Sequence, residues 1–297
     1  PTRREIDTLE SRFHDLWRRN FQANRNLVQK NPGVRVLKNK FRGIPCIVIG
    51  AGPSLDKNIR YLPQAREKAV LIAGDAALKP LVQHGVVPAF VVCLDPQEDI
   101  GKFLTGVPHR GMTLVAPSIV HPRVLDIWGG NVVFYHQFAP DIAALTEIQN
   151  DVPHIGPLTP GGTVLSVAYD LAFQIGGNPI IFMGQDLSYP KKNLYSRYSE
   201  NHENLLAREF ENQPENIVFE NDMNNVKLPT LKSMSVSKKW FHWAFSNWKR
   251  DCPLEIYNCS EGGILTDHCR LASLSEAIYK YCNKKINVAW TLKKALK

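Results

Sequence analysis

The chain has no Cys-x-x-Cys pair, no apolar run approaching 18 residues, no Gly-x-Gly-x-x-Gly, no Walker A loop and no Gly-x-Ser-x-Gly elbow. Each absence removes a class. Without a long apolar run no transmembrane helix is expected. The first residues, Pro1-Thr-Arg-Arg-Glu-Ile-Asp7, lack the apolar core of a secretory signal, so a cytoplasmic location is expected. The six cysteines are irregularly spaced. Cys46 and Cys93 sit in apolar runs, while Cys252, Cys259, Cys269 and Cys282 do not make a zinc knuckle even with His268 adjacent, so a reducing compartment and no structural metal are expected. A missing nucleophile elbow argues against a Ser-His-Asp hydrolase. The formal charge is +8, much of it near the two ends, and no nucleic-acid motif accompanies it, so solvated faces are the preferred reading.

What is present begins with Pro45-Cys-Ile-Val-Ile-Gly-Ala-Gly-Pro-Ser-Leu-Asp56. An apolar strand delivers a glycine turn, and Pro53 suits the first turn of a following helix. Such a turn can offer backbone N–H groups to a phosphate, but Leu55 stands where a dinucleotide fingerprint needs glycine. A tight connection that binds nothing is the competing reading. At 297 residues with 44% hydrophobic content, the chain is long enough for one large α/β domain with extensions.

Short apolar runs at 45–49, 69–73, 89–94, 112–116, 131–135 and 179–183 alternate with helical or turn segments. That order predicts an α/β fold, a Rossmann-like, mostly parallel sheet flanked by helices. Ligands of such sheets lie beyond the strand C-terminal ends. The residues found there are Gly50 to Ser54, Gly74-Asp75, Asp95-Pro96-Gln97, Ala116-Pro117-Ser118, His136-Gln137 and Gly184-Gln185-Asp186. Asp75, Asp95 and Asp186 are carboxylates to test, either for a divalent metal on a pyrophosphate or for metal-free transfer with one group as base. His136 is a candidate general acid, or a neutral core histidine. Pro160-Gly161-Gly162-Thr163 before an apolar helix is a second candidate anion site, with Thr163 as cap, or ordinary capping. The strand 254–258 runs into Cys259-Ser260-Glu261-Gly262-Gly263, which puts Ser260 and Glu261 beside the cleft.

Domain boundaries follow composition. Residues 1–34 form an N-terminal helical extension, helical from 7 to 30. Residues 35–285 form the main domain, and 286–297 form a C-terminal tail. Residues 188–234, rich in Asn, Glu, Tyr, Ser and Lys with little periodicity, read as a lid-like or acceptor-side insertion in which Tyr189, Tyr195, Tyr198 and His202 are candidates to meet a substrate, or exposed loop residues without function. The aromatic run Trp240, Phe241, Trp243, Phe245, Trp248 reads as a core contact rather than a sugar platform.

The ordered set Gly50-Ala-Gly-Pro-Ser-Leu55, Ala73-Gly-Asp-Ala-Ala-Leu-Lys-Pro80, Cys93-Leu-Asp-Pro-Gln97, Gly161-Gly-Thr-Val164, Asn178-Pro-Ile-Ile-Phe-Met-Gly-Gln-Asp-Leu187 and Asn258-Cys-Ser-Glu-Gly-Gly263 resembles the central domain of the motility-associated factor family of flagellin glycosyltransferases. The helix around Trp17 and Asn20 resembles the segment before it. The resemblance implies a fold related to bacterial sialyltransferases. It implies a CMP-linked nonulosonic acid donor (pseudaminic, legionaminic or sialic type) and a Ser/Thr of a flagellin-like protein or a glycan hydroxyl as acceptor. Carried over by motif, Gly50, Gly52, Pro53 and Ser54 would face the phosphate. Asp95 and Gln97 would line the donor site, Gly162 and Thr163 would lie by the phosphate or sugar carboxylate, and Asp186 would sit near the donor or acceptor. With the strand-end reading, Asp186, Asp95 and His136 are the catalytic candidates and Asp75 a candidate for the donor site. Ser260 and Glu261 would join the donor side. The same domain is similar to archaeal 6-hydroxymethyl-7,8-dihydropterin pyrophosphokinase, the MptE-like domain. That would imply ATP and Mg2+ in place of a CMP-sugar. A non-catalytic nucleotide-binding module is the third expectation.

Overall fold

The computed structural model describes residues 3–190, 195–200, 212–249 and 253–296. A long helix, α1 (Arg3–Lys30), leads into an alternation of strands and helices. The strands are β1 (Cys46–Ile49), β2 (Val70–Gly74), β3 (Phe90–Val92), β4 (Thr113–Pro117), β5 (Asn131–Gln137), β6 (Pro157–Leu158) and β7 (Ile180–Met183). Between them lie α2 (Leu55–Asn58), α3 (Leu78–Gln83), α4 (Gly101–Leu104), α5 (Pro122–Trp128), α6 (Ala143–Asp151) and α7 (Val164–Gln174). A hairpin, β8 (Ile217–Asn221) and β9 (Lys227–Leu231), precedes a helix at Lys232–Trp248. Strands β10 (Ile256–Asn258) and β11 (Arg270–Leu271) and helices at Leu274–Tyr281 and Val288–Ala295 complete the chain.

Nine strands make one sheet in the order β11-β10-β7-β1-β2-β3-β4-β5-β6, with every pairing parallel. This is the expected α/β architecture. Strands β1 to β4 and β7 are buried along their whole length, as near-continuous apolar runs require when helices cover both faces. The chain builds outward from β1 to β6, then returns through α7 to place β7 on the other side of β1. The direction of winding therefore changes between β1 and β7, where a ligand crevice is expected in such folds.

Alternation along the strands sorts the core by face. Val48, Ile72, Val92, Val115, Val133, Phe182 and Ile256 point to one face and join a single cluster with α7 and the helix at 232–248. On the other face the core divides. Ile47, Ile49, Leu71, Ala73, Ile181 and Met183 pack with α2 and the helix at 274–281. Val91, Cys93, Leu114, Ala116 and Phe134 pack with α1, α5 and α6. Helix α3 bridges the two, with Leu81 in the first and Leu78 in the second.

Of the aromatic run on the helix at 232–248, Phe241 and Phe245 are core and Trp240 and Trp248 pack against it, as expected, whereas Trp243 is exposed. Tyr169 of α7 is its hub, stacked on Trp248 at 5.0 Å between ring centroids and set edge-on to Phe245 at 5.1 Å. The C-terminal segment is helical, and Leu292 packs into the main core. Among the described residues no helix is long and apolar enough to cross a membrane. Of the expected insertion, 191–194 and 201–211, His202 included, lie outside the described residues.

Candidate functional site

The C-terminal ends of β10, β7, β1, β2 and β3 present Ser260, Gln185 and Asp186, Gly50, Asp75 and Asp95 in sequence across five neighbouring strands. Four strand spacings set the row at about 19 Å.

At its centre the glycine turn is engaged by its own chain. Gly50 N–H donates to Met183 O at 2.8 Å and Gly52 N–H to Gly184 O at 2.9 Å. The two loops touch closely enough that a Cβ on Gly50 would lie 2.4 Å from Gly184 O, and one on Gly184 would lie 2.2 Å from Gly50 O. Glycine is required here by backbone approach between β1 and β7. Ser54 N–H donates to Asp186 Oδ2 at 2.8 Å, and its hydroxyl to Oδ1. Asp186 thus caps the turn into α2 from across the switch point. Helix α2 starts at Leu55, so Pro53 precedes the Ser54 N-cap rather than opening the helix. Burial raises the Asp186 carboxyl to about 6, against the lowering effects of Ser54 and Lys57. With both oxygens held by Ser54, Asp186 is a positioning group here, and a phosphate at Ser54 would have to displace it. The sequence expectation of a free phosphate cradle at Gly50, Gly52 and Ser54 is corrected accordingly.

Beside the turn, Asp75 is 5% exposed, and Ala76 N–H donates to its Oδ1 at 2.7 Å. Burial first, and then the charge of Asp95 on the next strand end, push its carboxyl up to about 7 against the bonds from Ala76 and the Cys93 thiol. Tyr135 hydroxyl braces the floor by donating to Cys93 O at 2.7 Å. Asp95 is partly exposed and accepts Gln97 N–H at 2.8 Å, and Gln97 is exposed. The buried Asp75 carboxyl can therefore hold a proton near neutral pH, a property of acid–base sites. Among the described residues no group of three or more His, Cys, Asp or Glu is placed to hold a metal.

The N-terminus of α7 stands over the same row. A Cβ on Gly74 would meet Val164 Cγ1 at 2.9 Å, and one on Gly50 would meet Leu165 Cδ1 at 2.7 Å. Thr163 is the N-cap by position, yet its hydroxyl makes no capping bond and is buried without a partner. The expected cap is therefore not formed. Gly162 has φ +92, and a Cβ there would meet Ser237 Oγ at 2.4 Å. Two more buried polar atoms without partners lie on the loop after β7, Gln185 Nε2 next to Gly184 and Ser188 Oγ. Ser188 follows Leu187, whose carbonyl accepts Thr230 hydroxyl at 2.6 Å at the end of β9. Ser188 carries no sequence signal that distinguishes it from other loop serines.

Ser260 is buried and its Oγ accepts Gln185 N–H at 3.0 Å. Glu261 turns away to accept Leu274 N–H at 3.3 Å, while its carbonyl accepts Lys57 Nζ at 3.0 Å. Both hold loops in place rather than line open space. His136 is four strands from β1 and 1% exposed. Its Nε2 faces Val152 O at 2.8 Å and its Nδ1 faces Ser118 Oγ at 2.9 Å, so the Nε2–H tautomer satisfies both. Burial lowers its pKa. His136 is the neutral core histidine, and its expected catalytic role is corrected on that ground. From the insertion, Tyr189 is buried, and Ser196 crosses the turn, donating its N–H to Ala51 O at 2.7 Å and its hydroxyl to Asp56. Ser199 Oγ donates to Ala76 O at 3.1 Å, so this strap lies over the ends of β1 and β2.

Comparison with known proteins bears on this geometry. The fold is similar to that of the MAf glycosyltransferase from Magnetospirillum magneticum AMB-1, with TM-score 0.62 and 19% identity over 89% of this chain and 40% of that one. An uncharacterized protein of Treponema pallidum (strain Nichols) is 30% identical over 161 residues, 52% of this chain and 27% of its own length. A second uncharacterized protein of that organism is 30% identical over 94 residues, 30% of this chain and 42% of its own length. The chain thus spans less than half the length of each. The sequence model of the family described as 6-hydroxymethylpterin diphosphokinase MptE-like matches residues 19–192, more than half of the chain, from the middle of α1 through β7 and past Asp186. This chain belongs to the 6-hydroxymethylpterin diphosphokinase MptE-like family.

Proposed function

We propose that this chain is a glycosyltransferase domain that takes a nonulosonic acid from a CMP-linked donor and passes it to a protein Ser/Thr or glycan hydroxyl. The observation that carries the reading is the α7 N-terminus. A helix start and a buried Thr163 hydroxyl without a partner stand over the row of strand ends, and on the loop after β7 Gln185 Nε2 and Ser188 Oγ are also buried without partners, so the chain itself does not satisfy these polar groups. Buried polar groups of that kind are rare, and a ligand is one reason for them. Helix N-termini favour phosphate and carboxylate, both of which a CMP-nonulosonate carries. The likeness in fold to a glycosyltransferase agrees with this reading.

In the proposed reaction the acceptor oxygen attacks the anomeric carbon and the bond from that carbon to the phosphate oxygen breaks. CMP leaves with the electron pair, its growing charge held by the first-turn N–H groups of α7 and by Thr163. The acceptor proton passes to the Asp75–Asp95 pair, where Asp95, the more exposed member, is the base. Asp186 contributes by fixing the β1–β7 crossing.

A second reading, ATP-dependent pyrophosphate transfer to a pterin alcohol, is favoured by the description of the family and by the two carboxylates on adjacent strand ends. A phosphate-bound magnesium ion takes one or two protein carboxylates, which Asp75 and Asp95 would supply. A thermal-shift panel of CMP, CDP, UDP, GDP and ATP, with and without magnesium, tests both. A shift with CMP alone and no need for metal supports the sugar transferase. A shift with ATP only when magnesium is present replaces it with the pyrophosphokinase. No shift with any nucleotide removes both.

A further inference from the structure

The buried face of α1 carries Trp17, Asn20, Phe21, Asn24 and Val28 at helical spacing, and the two asparagines are 3% and 1% exposed. An asparagine in such a stripe is costly unless its amide is bonded. Both are, to carbonyls at the strand C-terminal ends. Asn20 Nδ2 donates to Pro96 O at 2.8 Å and to Ile119 O at 2.9 Å. Asn24 Nδ2 donates to Val120 O at 2.7 Å and to Ser118 O at 3.4 Å. A primary amide has two N–H bonds in one plane. Asn20 therefore spends both on two different loops, those after β3 and β4, and fixes one relative to the other.

The first of those carbonyls belongs to Pro96, between Asp95 and Gln97, in a loop that Gln97 N–H closes on Asp95 Oδ1 and that Gln137 Nε2 holds at Leu94 O, 2.7 Å away. We infer that Asn20 is a positioning residue for the candidate site: it sets the loop that carries Asp95 at the end of β3, beside the β2 end that carries Asp75, so a helix outside the sheet determines where Asp95 stands. The role of that pair rests on the reading under Proposed function, whereas the ordering of the loop does not. Asn24, one helical turn on, performs the same chemistry on a loop with no candidate catalytic group and is the internal control.

The test compares Asn20→Ala with Asn24→Ala in the full chain, reading thermal midpoint, amide hydrogen exchange at residues 97–100, and CMP affinity by calorimetry. The expected result is similar loss of midpoint in both variants, with exchange at 97–100 at least tenfold faster and CMP affinity at least fivefold weaker in Asn20→Ala alone. Parallel losses of stability, exchange protection and affinity in the two variants would overturn the inference and leave both asparagines as docking residues. Should Asn20→Ala not fold, Asn20→Ser, which keeps one donor, takes its place with the same outcomes. If the wild-type chain binds no CMP, the transferase reading fails, and equal exchange at 97–100 in both variants still overturns the positioning role.

Discussion

Asp75 and Asp186 are both buried carboxylates at strand ends, and their partners give them different work. Asp186 has the N–H and the hydroxyl of Ser54 on its two oxygens, whereas Asp75 has a neighbouring carboxylate and a proton near neutrality. Because burial raises the folded-state value of Asp75 to about 7, the folded chain holds a proton that the unfolded chain has released above its ordinary value. The stability tied to that proton is full below about pH 4 and falls as pH rises through 7, by on the order of 4 kcal/mol for complete ionisation. Asp75→Asn is expected to flatten the decline of the thermal midpoint between pH 5 and pH 8, read by calorimetric scans at each pH. At Gly184, φ +63 and a Cβ position 2.2 Å from Gly50 O predict that Gly184→Ala costs on the order of 3 kcal/mol, measurable by urea unfolding. The glycines and carboxylates stood out in the sequence, but their partners did not. Ser54 and Asp186 are 132 residues apart, and no local pattern states that one will occupy the other.

At the scale of elements, the strands were legible because burial on both faces writes them as short apolar runs. The hairpin β8–β9 was not. Its strands are half-exposed, and Pro229 interrupts the second, so the alternation expected of a strand is weak. The role of the two asparagines on the buried face of α1 was likewise hidden, since asparagine in a helical stripe reads as solvent-facing until the carbonyls it meets are known. Helix α7 gives the sharpest element-level expectation. Thr163 makes no cap, so Thr163→Val should leave stability within about 1 kcal/mol, where loss of a working cap costs about that or more. The same change should weaken nucleotide binding about tenfold by calorimetry. Against it, Phe245→Ala in the helix at 232–248 empties a fully buried ring site beside Tyr169. That change should cost roughly 3–5 kcal/mol in denaturant unfolding without a specific effect on affinity once the folded fraction is corrected for.

Across the whole molecule, alternation of strand and helix predicted the parallel sheet, and the sheet then decided which strand ends could share a site. His136 shows the limit of the linear reading. It follows a strand like the others, but β5 lies four strands from β1 and its end is closed by α6 and the loop at 152, so the same sequence position becomes interior. The division of one core face into two clusters has a mechanical consequence. The undivided cluster under α7 acts as a continuous backing, while the opposite side is jointed between β2 and β3, with α3 spanning the joint. Asp75 and Asp95 stand on either side of that joint. Small flexing of the sheet would therefore open or close the distance between them more than any other pair in the row, much as a book bends along its spine. Native-state exchange should accordingly resolve two opening units, β1, β2 and β7 in one and β3 to β5 in the other, with the weakest protection at the amides that pair β2 with β3.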